Sequence, residues 1–187
     1  MERPGGRSAR VRDAVRQATL AELAEHGYQG LTVENVAARS GVHKTTVYRR
    51  WTGVEGLIAD ALDLAAEEPW PVPDTGTIEG DLRELARMVR RGMDPTATAF
   101  VAAGMQDEAA ARALNGFYTA RHAQSAVIVR RAVERGELPA GTDAEEVVRA
   151  TVAPVYYRLF IAHERVEEKD ADRAAATALA AARAGVL

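Results

Sequence analysis

The sequence predicts an all-α fold. Apolar residues recur at the 0, 3, 4, 7 spacing that puts one stripe along a helix. Strand-type alternation with turn dipeptides is missing, and apolar residues make up 47% of the 187, enough for a packed core. Val11, Ala14, Val15 and Ala18 show the spacing first. Ile58, Ala61, Leu62 and Ala65 repeat it, and so do Leu82, Leu85, Ala86 and Val89. Ala171, Ala174, Ala175 and Ala178 give a small-residue version near the end.

The elements can be bounded in order. Gly27 stops the first helix from the left-handed position beyond its last turn. Thr32 opens the second, its hydroxyl accepting a free backbone N–H. Thr52-Gly53-Val54-Glu55 fits a capping box for the fourth. Pro69, Pro71 and Pro73 make a stiff linker around Trp70, since prolines this dense cannot continue a helix. Thr77 caps the helix that follows. Asp94-Pro95 and Gly104 bracket a short one. A long helix is expected from about Asp107 to Arg135, stopping at Gly136, with a loop at Pro139 to Gly141. Asp143 caps a helix reaching about His163, kinked at Pro154. The last runs from about Asp170 to Ala184.

Composition excludes several functions. There is no cysteine, hence no disulfide, thiol nucleophile or Cys-rich zinc site. The four histidines form no H-x-x-x-H pair, and no metal or other cofactor is expected. A phosphate loop and a His–acid pair at suggestive spacing are also missing, so an enzyme is not expected. No run of eighteen uncharged residues is present to span a membrane. The N-terminus is polar and basic without an apolar stretch, unlike a secretory signal, and a cytoplasmic protein is the default. Charge is asymmetric. Residues 1–51 carry nine Lys or Arg against five Asp or Glu, while the remainder carries fifteen against twenty-two. A basic head on an acidic body suggests that the head meets a polyanion.

The head holds the most specific pattern. Residues 32–51 read TVENVAARSGVHKTTVYRRW. Val33, Val36 and Ala37 give one helix an inward face. Ala37 is small where a second helix crosses it. Gly41 lies four residues on, where a tight turn needs positive φ, and Val47 follows ten residues after Ala37. This is a helix-turn-helix pattern, though a plain helical hairpin with a glycine turn shares parts of it. His43, Lys44, Thr45, Thr46, Tyr48, Arg49 and Arg50 crowd the second helix. No Asp or Glu lies between Asn35 and Thr52. Such donors, cations and an aromatic reach phosphates and base edges.

Residues 8–65 resemble the N-terminal domain of the tetracycline-repressor (TetR) family, through AEHGYQGLTVENVAARSGVHKTTVYRRW and the following EGLIADAL. PDTGTIEGDL, RRAVERGELPAGTDAEEV and APVYYRLF extend the likeness more loosely. The resemblance implies a basic arm (1–8), a three-helix DNA-binding domain (9–52) and a ligand-binding and dimerisation domain (53–187). It implies a dimer that binds palindromic operator DNA, represses transcription and is released by a small-molecule effector. Carried over by residue, Thr32 would touch phosphate, and His43, Lys44, Thr45, Thr46, Tyr48 and Arg49 would form the DNA face. Tyr28 and Trp51 fall where the family places core aromatics. Where the family often has Ser-Lys before the Glu opening helix four, this chain has Gly53-Val54, which removes one phosphate contact. The basic stretch of Arg3, Arg7, Arg10 and Arg12 either compensates for it or takes no part in binding.

In the body, the resemblance implies that helices from about 107 onward enclose a ligand. Trp70, Met93, Phe100 and Met105 are pocket candidates, with Phe117, Tyr118, His122, Tyr157 and Arg158. They suit a ligand site, being apolar with a few polar groups, and equally suit a plain core. Arg158, if buried, needs an anionic partner. The resemblance also implies pairing of the last two helices between subunits, and the 171–178 alanine stripe would let a partner helix approach closely. A DNA-binding protein governed by a protein partner remains the alternative.

Overall fold

The computed structural model describes residues 6–67 and 70–187, the side chains at 7, 64, 65 and 67 excepted. Arg3, Pro69 and the side chains of Arg7 and Ala65 therefore lie outside the described residues. Helices account for the regular structure of the rest: α1 (Gly6–Gly30), α2 (Val33–Ser40), α3 (Lys44–Trp51), α4 (Val54–Glu67), α5 (Ile78–Arg91), α6 (Pro95–Gln106), α7 (Glu108–Ser125), α8 (Val127–Glu134), α9 (Ala144–Tyr156) and α10 (Glu168–Arg183). A π-helical turn, Tyr157–Ile161, extends α9. No strand occurs among the described residues.

The caps are local chemistry and appear where the sequence puts them. Thr32 accepts the Asn35 N–H at 3.1 Å, Thr77 that of Gly80 at 3.1 Å and Asp94 that of Ala97 at 2.8 Å. Asp143 accepts from both Glu145 and Glu146. Four boundaries differ. Gly27 has positive φ (67°), but a kinked α1 resumes beyond it as far as Gly30. Thr52 opens nothing: at φ 59° it closes α3, donating its N–H to the Tyr48 carbonyl, and α4 starts from Gly53. The long helix divides at Ala126 into α7 and α8, although neither Gly nor Pro marks the break. Gly104 lies within α6, where its bare Cα lets Leu114 of α7 approach: a Cβ there would meet the leucine at 3.0 Å.

The chain forms two compact units. The first joins α1–α4 with α6 and α7 as far as Tyr118. Its core is built from Val15, Leu23, Val36, Val47, Leu57 and Ile58, with Ala99, Phe100 and Ala103 contributed by α6. Packing of α6 on α1 thus brings a segment from beyond residue 53 onto the head.

The second unit joins Trp70–Gly92 to Thr119–Leu187. Here α5, α9 and α10 pack on one another around Ile78, Leu82, Leu85, Val147 and Val152. Glu137 accepts the Ile78 N–H at 2.9 Å and ties the start of α5. Arg87 clamps α5 to α10 through two 2.7 Å bonds to Asp172 and a 3.1 Å pair with Glu168. The alanine stripe corrects the reading made from sequence. Ala171, Ala174, Ala175 and Ala178 are at most 5% exposed within the single chain. Their small side chains admit α5 and α9 of the same chain, so this face is not open to a partner.

Candidate nucleic-acid interface

The turn between α2 and α3 is set by four residues. Val36 and Val47 are wholly buried and Ala37 nearly so, which seats α2 on α1 and α3 on α2. Gly41 ends α2 at φ 68° and ψ 14°, a left-handed conformation that side chains resist. His43 then starts α3, its Nδ1 accepting the Thr45 N–H at 3.4 Å. The side chain expected to touch DNA thereby also caps the helix, leaving Nε2 to face outward chemistry.

Along α3, burial alternates at helical spacing. Val47 and Trp51 point inward, Thr46 is half-buried, and His43, Lys44, Thr45, Tyr48 and Arg49 are exposed. Lys44 and Arg49 pair with no carboxylate among the described residues, so both charges stay available. Tyr48 is 46% exposed and its hydroxyl donates to Glu34 at 3.2 Å. Glu34 holds this ring and raises the Tyr48 pKa by its charge, burial adding to it, so the phenol stays a neutral donor. Thr32 is half-buried at the start of α2, close to the free N–H groups that favour an anion. Arg50 turns away from this face: it donates to the Ser8 carbonyl at 3.2 Å and stacks over the Trp51 ring at 5.1 Å.

Behind α3 lies a buried charge cluster that sequence reading missed. Asp60 of α4 is 8% exposed. Its Oδ1 accepts from Arg12 Nε at 2.7 Å and pairs with Arg16 at 3.1 Å, while Oδ2 accepts from Trp51 Nε1 at 2.8 Å. Burial alone would push this carboxyl up. The bonds from Arg12 and Trp51 and the two arginine charges outweigh it, holding the pKa below its ordinary value. Arg12, read as part of the basic arm, is thus committed inward, and Arg10 bonds to the Gly6 carbonyl. Arg12 and Arg16 lie 48 and 44 positions from Asp60 and Trp51 nine, so no regular sequence spacing announces the cluster.

The nine pocket candidates are distributed between the two units. In the first, Phe100 is core, Met93 is half-buried and Met105 is 62% exposed. Phe117 meets Tyr118 edge-on, the ring centroids 5.4 Å apart. In the second, Trp70 Nε1 donates to the buried Ser125 hydroxyl at 2.8 Å, and the Arg121 guanidinium lies over the indole at 4.9 Å. His122 is half-buried; burial first, then the Arg149 charge, lowers its pKa, opposed by Glu145. Tyr157 is 60% exposed. Arg158 has its anion in Glu164, beyond the π turn.

Two family models match the chain. Residues 15–61 match "Bacterial regulatory proteins, tetR family". Residues 72–178 match "Tetracyclin repressor-like, C-terminal domain", which covers more than half of the sequence. The chain belongs to the TetR family. It is 32% identical to the HTH-type transcriptional regulator AqdR of Rhodococcus erythropolis, over 76% of this chain and 70% of that one. It is 29% identical to the uncharacterized HTH-type regulator YdeS of Bacillus subtilis, over 83% and 81%. Among solved structures, the TetR family transcription regulator SCO0332 matches with a TM-score of 0.68 and 31% identity, over 92% of this chain and 96% of that one.

This TetR-family chain is therefore a DNA-binding transcriptional regulator and not an enzyme. No described helix is long and apolar enough to cross a membrane. Its departure at Gly53-Val54 has a structural counterpart: Val54 packs against the core of the first unit. Gly56 is a further residue that sequence reading passed over. A Cβ there would lie 1.9 Å from the Trp51 carbonyl oxygen, so only glycine lets α4 start this close to α3.

Proposed function

We propose that this regulator represses transcription by gripping a palindromic operator as a homodimer, and that a small-molecule effector in the C-terminal domain releases it. The reading rests above all on the outward face of α3. His43, Lys44, Thr45, Tyr48 and Arg49 are exposed together, and no acidic residue of α3 interrupts them. An eight-residue helix held by a buried Val47 and Trp51 is the shape that enters a major groove. Thr32 and Thr46 extend the face toward phosphate. The regulator works in the cytoplasm, where its DNA is.

Two observations support the finer parts. The exposed side of α9 and its π turn carries Ala153, Pro154, Tyr157 and Ile161, an apolar strip suited to a second copy. This strip replaces the buried alanines of α10 as the proposed dimer face. For the effector, Trp70 with Arg121 and Ser125 offers an aromatic plane with polar neighbours, the mixture that small-ligand sites use, and His122 lies on the same helix as both.

The experiment starts from operator DNA selected from a random pool by the intact protein. Binding is then titrated at two salt concentrations. Lys44→Ala should lose about ten- to a hundredfold in affinity if it makes a bidentate base contact. If it meets phosphate only, all sequences should weaken alike and the salt slope should flatten by about one. Unchanged binding in Lys44→Ala combined with Tyr48→Ala would refute this face.

A further inference from the structure

We infer that Asp60 is a positioning residue for DNA recognition: its carboxylate fixes the end of α3 against α1 and α4 and so sets the angle at which Lys44, Tyr48 and Arg49 meet the bases. The inference rests on α3 being the DNA face and adds what orients it.

A helix of eight residues has little stability of its own. Its orientation must come from what it packs on. Val47 anchors the middle of α3, and the end hangs on Trp51. Three contacts hold that residue. Gly56 lets the first turn of α4 lie directly on the Trp51 carbonyl. The Arg50 guanidinium covers one side of the indole and reaches back to Ser8 of α1. Asp60 binds the indole N–H at 2.8 Å. Only the last joins all three helices, because one oxygen serves Trp51 and the other serves Arg12 and Arg16.

A carboxylate suits this place because it accepts on both oxygens. Asparagine accepts on one and donates on the other. In Asp60→Asn, either Trp51 or the arginine pair would face a donor. The consequence for binding is selective. Base-edge contacts need fixed directions, whereas phosphate contacts tolerate small rotations of the helix. Loosening the end of α3 should therefore cost operator affinity and spare affinity for random DNA.

The test compares selected operator with random-sequence duplex, at one salt concentration and well below the melting temperature. Asp60→Asn should lower the ratio of the two affinities about tenfold, with random-DNA affinity held within about twofold. Trp51→Phe keeps an aromatic ring and both arginine pairs while removing the N–H together with part of the indole, and it should lower the ratio in the same direction. It also serves if Asp60→Asn does not fold. A lowered melting temperature with an unchanged ratio in the folded variants would overturn the inference and leave Asp60 a stabilising residue. So would equal losses on both DNAs. Tyr48→Ala, run alongside, separates the two levels. If it retains full operator affinity, the DNA face itself is wrong. If it loses affinity while both positioning variants keep the ratio, only the positioning role is wrong.

Discussion

At the scale of single residues, Val54 and His122 show how burial changes a reading. A lysine at position 54 would strengthen a phosphate contact if the side chain faced outward. Val54 instead packs on the core of the first unit. Val54 is half-buried, so Val54→Lys should lower stability by about 1 kcal/mol, a part of what a fully buried valine contributes. Thermal melts check it, and operator affinity below the melt should not improve. His122 gives a pH dependence. Burial and the Arg149 charge depress its folded pKa below the ordinary 6.5. The unfolded chain then takes up this proton first as pH falls. Stability is full above about 6.5 and declines as pH drops through the folded value. Urea titrations between pH 7.5 and 5.5 should show that decline, and His122→Gln should lessen it. Neither effect is legible in sequence, because half-burial comes from neighbours far along the chain.

At the scale of elements, legibility followed the range of the forces involved. The caps at Thr32, Thr77, Asp94 and Asp143 use side chains bonding two or three residues ahead, and sequence carries such information directly. So does the α2–α3 turn, where Ala37, Gly41 and Val47 each have a local steric reason. A threonine can cap a helix start, but at the junction with α4 Thr52 takes φ 59° and ends α3 instead. That junction also explains Gly56. Gly56→Ala should drive a methyl into the Trp51 carbonyl and cost at least about 1–3 kcal/mol, the range for overpacking. A melting curve of the full chain measures it. The alanine stripe of α10 was readable as a close-packing face. Which neighbour it packs on was not, because a small residue invites any helix.

For the whole molecule, the sequence made an all-helical chain with a basic head evident, and the division into compact units was hidden. Residues 93–118 belong with the head by packing, though composition gives no sign of it. The assembly prediction follows the exposed faces. Tyr157→Asp combined with Ile161→Asp should yield a monomer by sedimentation, since a two-fold interface takes each change twice. Both positions are about 60% exposed in the single chain, so the protomer should stay folded. Sedimentation of the folded double variant as a dimer would move the interface elsewhere. Ala175→Arg is unsuitable for this purpose, because Ala175 is 1% exposed and arginine there would disrupt the protomer itself.

The placement of the two tryptophans makes the protein its own optical instrument. Trp51 emits from the first unit, hydrogen-bonded to a carboxylate behind the proposed DNA face, and Trp70 from the second, beneath a guanidinium. Trp70→Phe leaves an intrinsic fluorophore that watches the head alone. Trp51→Phe leaves one that watches the body. Titrating DNA into the first variant and candidate effectors into the second would assign each spectral change to one unit without attaching a dye.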